Sequence, residues 1–437
     1  MIQYVKDNAG VILIFALALL PLALWALMRP LAGRFASPVS VYRSLGQLAG
    51  LLGMALLSMN FVLAARYRFL DRLFNGLNKV YDKHHLVGAL AFSLILFHPT
   101  FLTVQYLFIS LSSAYFFLFS FQDTAVTLGE VALFTFMVLM VVTFYLHFKY
   151  QNWKNTHKFL GVVLFLGALH MILVPSDISN NAVLKYYMLG LAALGAFSYI
   201  YRTIVGVYTT TEYRYAVEKV TKVTDMVVEL VLTPLSKKII YQPGQFIFLR
   251  FEQDGVLSES HPFSITSFSG SDHLSLGIKT LGDYTSMVYL LKPGVVCRIE
   301  GPFGVFSYTK VESKKQIWVA GGIGITPFLG MARQLGRSGD LHEVDLYYSV
   351  GNEKKAAFAS ELTDIARRTP HFKFHPHYSE TEGYLSPRLI IEGRKDLGGT
   401  DVFLCGPLTF MQSLRSQFIA VGFDNKRIHS EEFNLAV

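Results

Sequence analysis

The segment 84–106, HHLVGALAFSLILFHPTFLTVQY, decides how this sequence is read. It opens on histidine, runs apolar long enough to cross a bilayer, and carries a second histidine, His98, fourteen residues after His84. Working outward, comparable runs fall at roughly 11–28, 46–65, 128–147, 157–175 and 183–205, giving six spans. A chain of 437 residues that is 52% hydrophobic, with mean hydropathy +0.38, is too apolar for an ordinary soluble protein. The run from Val11 to Met28 is long for a signal-peptide core and is read as a retained spanning helix.

Charge divides the chain in two. Residues 1–210 hold 14 Lys and Arg against 6 Asp and Glu, and residues 211–437 hold 25 against 25, so the whole net charge of +8 sits in the apolar half. That pattern is a membrane-topology signal, not the basic face of a nucleic-acid binder. The linker Arg66–Lys83 has five basic residues and Lys149–Lys158 has three, while 99–148 has none. Both basic linkers and both termini are therefore expected in the cytoplasm. Arg29, Arg34 and Arg43 fall in a linker that this topology puts outside, against the rule. Two distant cysteines, Cys297 and Cys405, exclude an iron–sulfur thiolate set and a disulfide framework.

Beyond Arg202 the texture becomes short β-branched runs broken by Gly, Pro and charge. The expected architecture is a multidomain membrane protein: a six-helix bundle over 1–210, a β-barrel domain over 211–312 and an α/β nucleotide-binding domain over 313–437.

The segment 157–175, HKFLGVVLFLGALHMILVP, repeats the opening pattern with His157 and His170 thirteen residues apart. Two spans thus hold histidines at matching depths, about 20 Å apart along each helix. Imidazoles facing one another across a bundle suit axial ligation of two stacked haems. An ideal helix returns a residue fourteen positions on to within about 40° of its starting face, but leaves one thirteen on about 140° away. Span five must therefore be distorted, or His157 must stand at a bent entry. His85 is a second candidate for the place of His84. Gly88 and Gly161, each four residues after the first histidine of a pair, offer bare backbone to a flat macrocycle. His371, His375 and His377 cluster without the partners a metal site needs.

In the β-rich region, Gln245 begins "QFIFLRF", and "HPFSITS" places His261, Pro262, Phe263, Ser264, Ile265, Thr266 and Ser267 on a strand with alternating hydroxyls, an edge that suits flavin. Lys279 and the turn "LGDYTS", with Thr285 and Ser286 opening a helix, suit a pyrophosphate. "VAGGIGITPFLG" runs a strand into Gly321, Gly322 and Gly324, with Thr326 and Pro327 starting a helix. "LCGP" then ends another strand at Cys405, Gly406 and Pro407.

In that order these motifs resemble the ferredoxin reductase-like flavin and nicotinamide module, and residues 40–437 resemble the bacterial NADPH oxidase and ferric reductase family. The resemblance implies an oxidoreductase of the bacterial plasma membrane that takes electrons from NADPH or NADH, through FAD and two haem b groups, to an acceptor outside. Dioxygen giving superoxide leads as acceptor, with a ferric chelate or a redox partner as alternatives. It implies His84 with His157 on the inner haem, His98 with His170 on the outer, the HPFSIT residues on FAD, Cys405 near the nicotinamide, and Phe433 over the flavin ring. Gly351 stands where NADPH-preferring members commonly carry arginine, with Lys354 and Lys355 as substitutes. The rival from another class is a channel or transporter with a nucleotide-sensing domain, its histidines forming a proton relay.

Overall fold

Lipid offers a peptide group no hydrogen bond, so every apolar run that crosses it must close its own backbone ladder. The computed structural model describes residues 8–119, 123–146, 150–205, 213–252, 258–392 and 398–431. The chain forms two compact units, Met1–Thr210 and Thr211–Val437.

The first unit contains α1 (Ala9–Met28), α2 (Pro38–Ala64), α3 (Leu77–Leu107), α4 (Thr124–Tyr145), α5 (Tyr150–Lys158), α6 (Leu160–Leu173) and α7 (Ala182–Ile200). With α5 and α6 taken as one broken span, six helical segments among the described residues are long and apolar enough to cross a membrane. Helices α2 and α3 begin several residues before the expected runs. Their first two turns carry Arg43, Lys79 and Lys83, which extend the helix past its apolar stretch. Ser37 and Ser40 form a reciprocal cap ahead of Pro38, and the Asp123 and Asn181 side chains accept the first free amides of α4 and α7.

Of the three arginines that broke the charge rule, only Arg34 is an interior part; Arg29 and Arg43 are exposed. Arg34 is 7% exposed and Asp177 8%, joined at 2.8 Å. The Arg34 guanidinium also donates to the Trp25 carbonyl and lies 3.7 Å over the Trp25 ring, while Arg43 donates to Gln105 at 3.0 Å. A paired, enclosed arginine such as Arg34 reports packing and not topology. These pairs also bring the chain before α2, the end of α3 and the chain after α6 to one end of the bundle.

In the second unit, β1 (Tyr213–Lys222), β2 (Val227–Pro234), β3 (Phe246–Phe251), β4 (His261–Ser264), β5 (Leu274–Lys279) and β6 (Val296–Phe303) form one antiparallel sheet in the order β4-β3-β6-β1-β2-β5. The expected barrel is a curled half-barrel: its edges are joined by the single bridge Ile265–Leu276. Edge strand β4 has only four residues, one of them Pro262, and is too short for a full ladder.

The second sheet, β7 (Lys315–Gly321), β8 (Glu343–Val350), β9 (Phe372–Tyr378), β10 (Asp401–Cys405) and β11 (Ile428–Glu431), runs in the order β11-β10-β7-β8-β9 with every pair parallel. Central strands β7 and β10 are almost wholly buried, as parallel strands covered on both faces must be. The helices are α8 (Ile325–Ser338), α9 (Ala359–Arg368) and α10 (Leu408–Ala420). Arg333 on α8 binds Glu361 of α9 at 2.7 Å and Glu229 of β2 at 2.9 Å, fastening the two sheets' surroundings together.

Asp177→Ala leaves Arg34 buried without its carboxylate. It is expected to cost about 3–5 kcal/mol, read as a lower melting temperature of the detergent-solubilised protein. Arg29→Ala, whose exposed side chain lies 3.8 Å from Asp177, should change stability by only about 0–1 kcal/mol.

Candidate functional site

Helices α3 and the broken span α5–α6 bring the four histidines together as two pairs. The His84 and His157 rings have centroids 6.2 Å apart at 68°, and those of His98 and His170 are 6.2 Å apart at 71°. Two imidazoles that share one metal atom, each bonded at about 2 Å, would place their centroids roughly 6 Å apart. His85 is exposed, and His84 is the ring that faces His157.

The break in span five resolves the thirteen-residue interval. At Phe159 the ladder tightens: Phe159 N–H donates to Thr156 O at 3.0 Å and Val162 N–H to Phe159 O at 2.9 Å, both three residues back. His157 therefore lies in the last turn of one helix and His170 in the last turn of the next, and the reset at Phe159 turns both onto the α3 side. Trp153 stacks on His157 at 5.1 Å.

Each ring of the second pair is fixed by a backbone carbonyl. His98 Nδ1 lies 2.7 Å from Gly46 O, and His170 Nδ1 lies 2.7 Å from Ala125 O. A carbonyl only accepts, so Nδ1 carries the proton and Nε2 presents its lone pair. One helical turn beyond each carbonyl stands a glycine. A Cβ on Gly50 would lie 2.6 Å from His98 Nδ1, and one on Gly129 would lie 2.7 Å from His170 Nδ1. His84 Nδ1 meets Asn60 O at 3.2 Å. Gly50 and Gly129 were not singled out in the sequence, although the spacing Gly46–Gly50 is visible there. Of the two glycines that were, Gly161 faces the Tyr199 ring, 2.2 Å from its would-be Cβ, and Gly88 faces the Asn60 amide at 2.8 Å. Both serve side-chain packing in place of the expected macrocycle contact.

The His98–His170 layer opens into a cavity of about 1390 Å³, lined also by Gly50, Gly129, Glu130 and Arg43. Among the described residues, no group of three or more His, Cys, Asp or Glu is placed to hold a metal ion. His375 instead pairs with Asp345 at 3.0 Å and His377 with Glu382 at 3.0 Å.

In the α/β sheet, the chain leaves β7 toward β8 on one side and later returns to β10 on the other, so the switch point lies between β7 and β10. Both strands end there in glycine turns that touch. A Cβ on Gly324 would lie 2.3 Å from Cys405 O, and one on Gly406 would lie 3.0 Å from the Gly321 backbone. Gly322 has φ +55°. Thr326 and Pro327 open α8 and Pro407 precedes α10, so two helix N-termini converge on the crevice, a setting for phosphate. Cys405 is fully buried, and burial, helped by Glu431, pushes its thiol well above the ordinary range. It cannot serve as a thiolate.

In the half-barrel, His261 sits 3.1 Å from Glu259 and packs on Tyr284 at 4.1 Å, with Phe263 stacked on the same Tyr284 at 6.1 Å. Pro262 faces Phe248 in the strand pairing and Ser264 faces Phe246. Thr266 is fully buried, and its hydroxyl has no partner among the described residues. Several expected contact residues are engaged within the fold. Gln245 bridges Gln242 and Gly304, Ser267 bonds Tyr241 and Ser275, and Thr285 caps Leu281 and Gly282. Ser286 bonds the Gly282 carbonyl. Lys279 ends β5 opposite Val227. Phe433 lies outside the described residues.

Residues 49–168 match the family described as ferric reductase like transmembrane component, 213–319 an FAD-binding domain and 318–416 an oxidoreductase NAD-binding domain. The chain joins a ferric reductase-like transmembrane component to an FAD- and NAD-binding oxidoreductase module. Three of the four histidines fall inside the first match, and His170 lies just past its end. This oxidoreductase is 28% identical over 206 residues to the glycine betaine monooxygenase reductase subunit of Pseudomonas aeruginosa, across 44% of this chain and 56% of that one. It is 28% identical over 191 residues to flavohemoprotein A of Dictyostelium discoideum, across 43% and 44%. The chain spans about half the length of these relatives. In fold, it is similar to a flavohemoglobin from Malassezia yamatoensis, with TM-score 0.51 and 18% identity over 91% of this chain and 98% of that one.

Burial also raises the Cys297 thiol to about 12. The folded state holds this proton more tightly than the unfolded chain, so its contribution to stability is complete below about pH 9 and is lost as pH rises through about 12. At pH 8, neither thiol should react with an alkylating reagent until the oxidoreductase is unfolded. Rapid labelling of the native protein would contradict this burial.

Proposed function

We propose that this oxidoreductase takes electrons from NAD(P)H on the cytoplasmic side, through FAD and two b-type haems, and delivers them outside to dioxygen, giving superoxide. When bound, FAD accepts a hydride and releases electrons singly, and haem iron passes them one at a time. His84 with His157 would hold the inner haem, and His98 with His170 the outer. The observation that carries this reading is the shared 6.2 Å ring separation of the two pairs, reinforced in one layer by carbonyls that leave both Nε2 atoms facing inward. A proton relay has no need of that spacing, and among the described residues none of the four rings uses Nε2 in a hydrogen bond.

The chain's own residues bind, orient and separate. Gly321, Gly322, Gly324, Thr326, Gly406 and Pro407 would cradle the dinucleotide at the switch point. Cys405 would bear on the nicotinamide through its place at the strand end, its thiol remaining protonated. His261, Pro262, Phe263, Ser264, Ile265 and Thr266 would line FAD, with Lys279 and the Thr285–Ser286 turn near its pyrophosphate and Phe433 over its ring. No general base or nucleophile is required. Held by a histidine pair, each haem would supply single-electron transfer without offering the acceptor a binding place on the metal.

The purified protein is expected to show a reduced-minus-oxidised spectrum of low-spin haem b with two haems per chain. His98→Ala or His170→Ala should remove about half of it. Gly50→Val should do the same, because a side chain there displaces the His98 ring. A spectrum that survives replacement of both His98 and His170 unchanged would defeat the assignment. For the acceptor, NAD(P)H-driven cytochrome c reduction should be suppressed by superoxide dismutase. Insensitivity to the dismutase, with faster turnover on ferric chelates, would make those chelates the acceptor instead.

A further inference from the structure

Where the chain leaves β8, it meets a carboxylate. Glu380 N–H donates to Gly351 O at 3.0 Å, and a Cβ on Gly351 would lie 2.5 Å from Glu380 Oε1. Strand β8 lies directly beside β7, with Ser349 level with Gly321. Glu380 therefore stands at the level of the glycine turn, one to two strand spacings away, about 5–10 Å. In open α/β sheets that bind dinucleotides, an acidic side chain at the end of the strand beside the glycine turn accepts the ribose hydroxyls of NAD, and a basic one there accommodates the extra phosphate of NADP. Here the acid reaches that place from the end of β9, and the lack of a side chain at Gly351 makes room for it.

The lysine nearest Glu380 is already committed. Lys355 Nζ binds Glu380 Oε1 at 2.9 Å, and Asn352 Nδ2 donates to Oε2 at 2.8 Å. Those two contacts, Asn352 first, hold the Glu380 carboxyl below its ordinary value, so it is charged at neutral pH. Lys354 lies within electrostatic range of Asp225. Glu382 supplies a further acid, bonded to Tyr378 N–H and His377.

We propose that Glu380, braced by Asn352 and Lys355 over Gly351, makes this oxidoreductase select NADH by accepting the adenosine ribose hydroxyls and repelling a 2′-phosphate. This rests on the reading of the module as the nicotinamide site. A carboxylate offers two acceptors to the paired hydroxyls of an unmodified ribose. Against a phosphate it brings like charges together, and the lysine that would otherwise attract that phosphate is neutralised. Lys355 thus contributes to selection by holding the acid, not by binding NADPH.

The test uses the full-length, FAD-loaded protein in detergent, with anaerobic flavin reduction followed by rapid mixing for NADH and NADPH. Affinity is read separately by calorimetric titration with AMP and with adenosine 2′,5′-bisphosphate. The wild type should favour NADH and AMP. Glu380→Gln should shift the NADH to NADPH ratio of kcat/KM by about tenfold toward NADPH, and the two titrations should shift in the same sense. In Glu380→Gln/Lys355→Ala most of that gain should vanish, since the freed lysine is its source. Wild-type protein that uses both nucleotides equally, or a ratio that Glu380→Gln leaves unchanged, overturns the proposal while the donor reading stands. Failure of either nucleotide to reduce the flavin overturns the donor reading itself. Flavin content and melting temperature of each variant establish that it is folded, and if a variant is not, the wild-type preference and the paired titrations decide alone.

Discussion

A histidine that is to offer one nitrogen inward must have its other nitrogen held from behind. In the His98–His170 layer that support is a helix carbonyl already serving its own ladder, Gly46 O or Ala125 O. In this layer each imidazole reaches its carbonyl at 2.7 Å where the residue one turn on has no side chain. Gly50 and Gly129 satisfy this on two different helices, so the same local solution appears on both sides of one cavity. Much of the bundle's arrangement follows. Helix α2 must lie against α3, and α4 against α6, closely enough for ring and carbonyl to meet at 2.7 Å, and the polar ends of these helices must be tied where lipid gives way to water. The buried Arg34–Asp177 pair and the Arg43–Gln105 bond do that at the end of the bundle nearest this layer.

The soluble module works by a different constraint. Parallel strands buried on both faces place their functional groups at the strand ends, and the reversal of strand order between β7 and β10 opens a crevice there. Two glycine turns share that crevice because neither brings a Cβ into it. The half-barrel engages most of its polar motif residues with neighbouring backbone and side chains. Gln245, Ser267 and Thr285 each complete a turn or a strand end, and their hydrogen-bonding capacity is used inside the fold. The Thr266 hydroxyl, buried and without a partner among the described residues, is the clearest exception.

Periodicity and composition made the six spans, the change of texture near residue 210 and the strand-and-glycine alternation legible before any coordinates. Each is a statement about what one segment can bury, and hydropathy carries it. The apolar runs begin several residues after the helix starts at Pro38 and Leu77 because opening turns that are polar or charged do not look apolar. The charge rule miscounted Arg34 because sequence cannot separate a basic residue in water from one enclosed by Trp25 and Asp177.

By itself the sequence determined the types and spacing of the groups: four histidines at intervals of fourteen and thirteen, glycine turns after two apolar strands, and an HPFS strand between them. Tertiary structure decided which of those groups meet. It chose His84 over His85, broke span five at Phe159 so that a thirteen-residue interval serves both layers, and moved the critical glycines from 88 and 161 to 50 and 129. The physical reason is that facing and close approach are relations between helices, fixed by packing angles and register, whereas spacing along one chain fixes only what each helix has to offer.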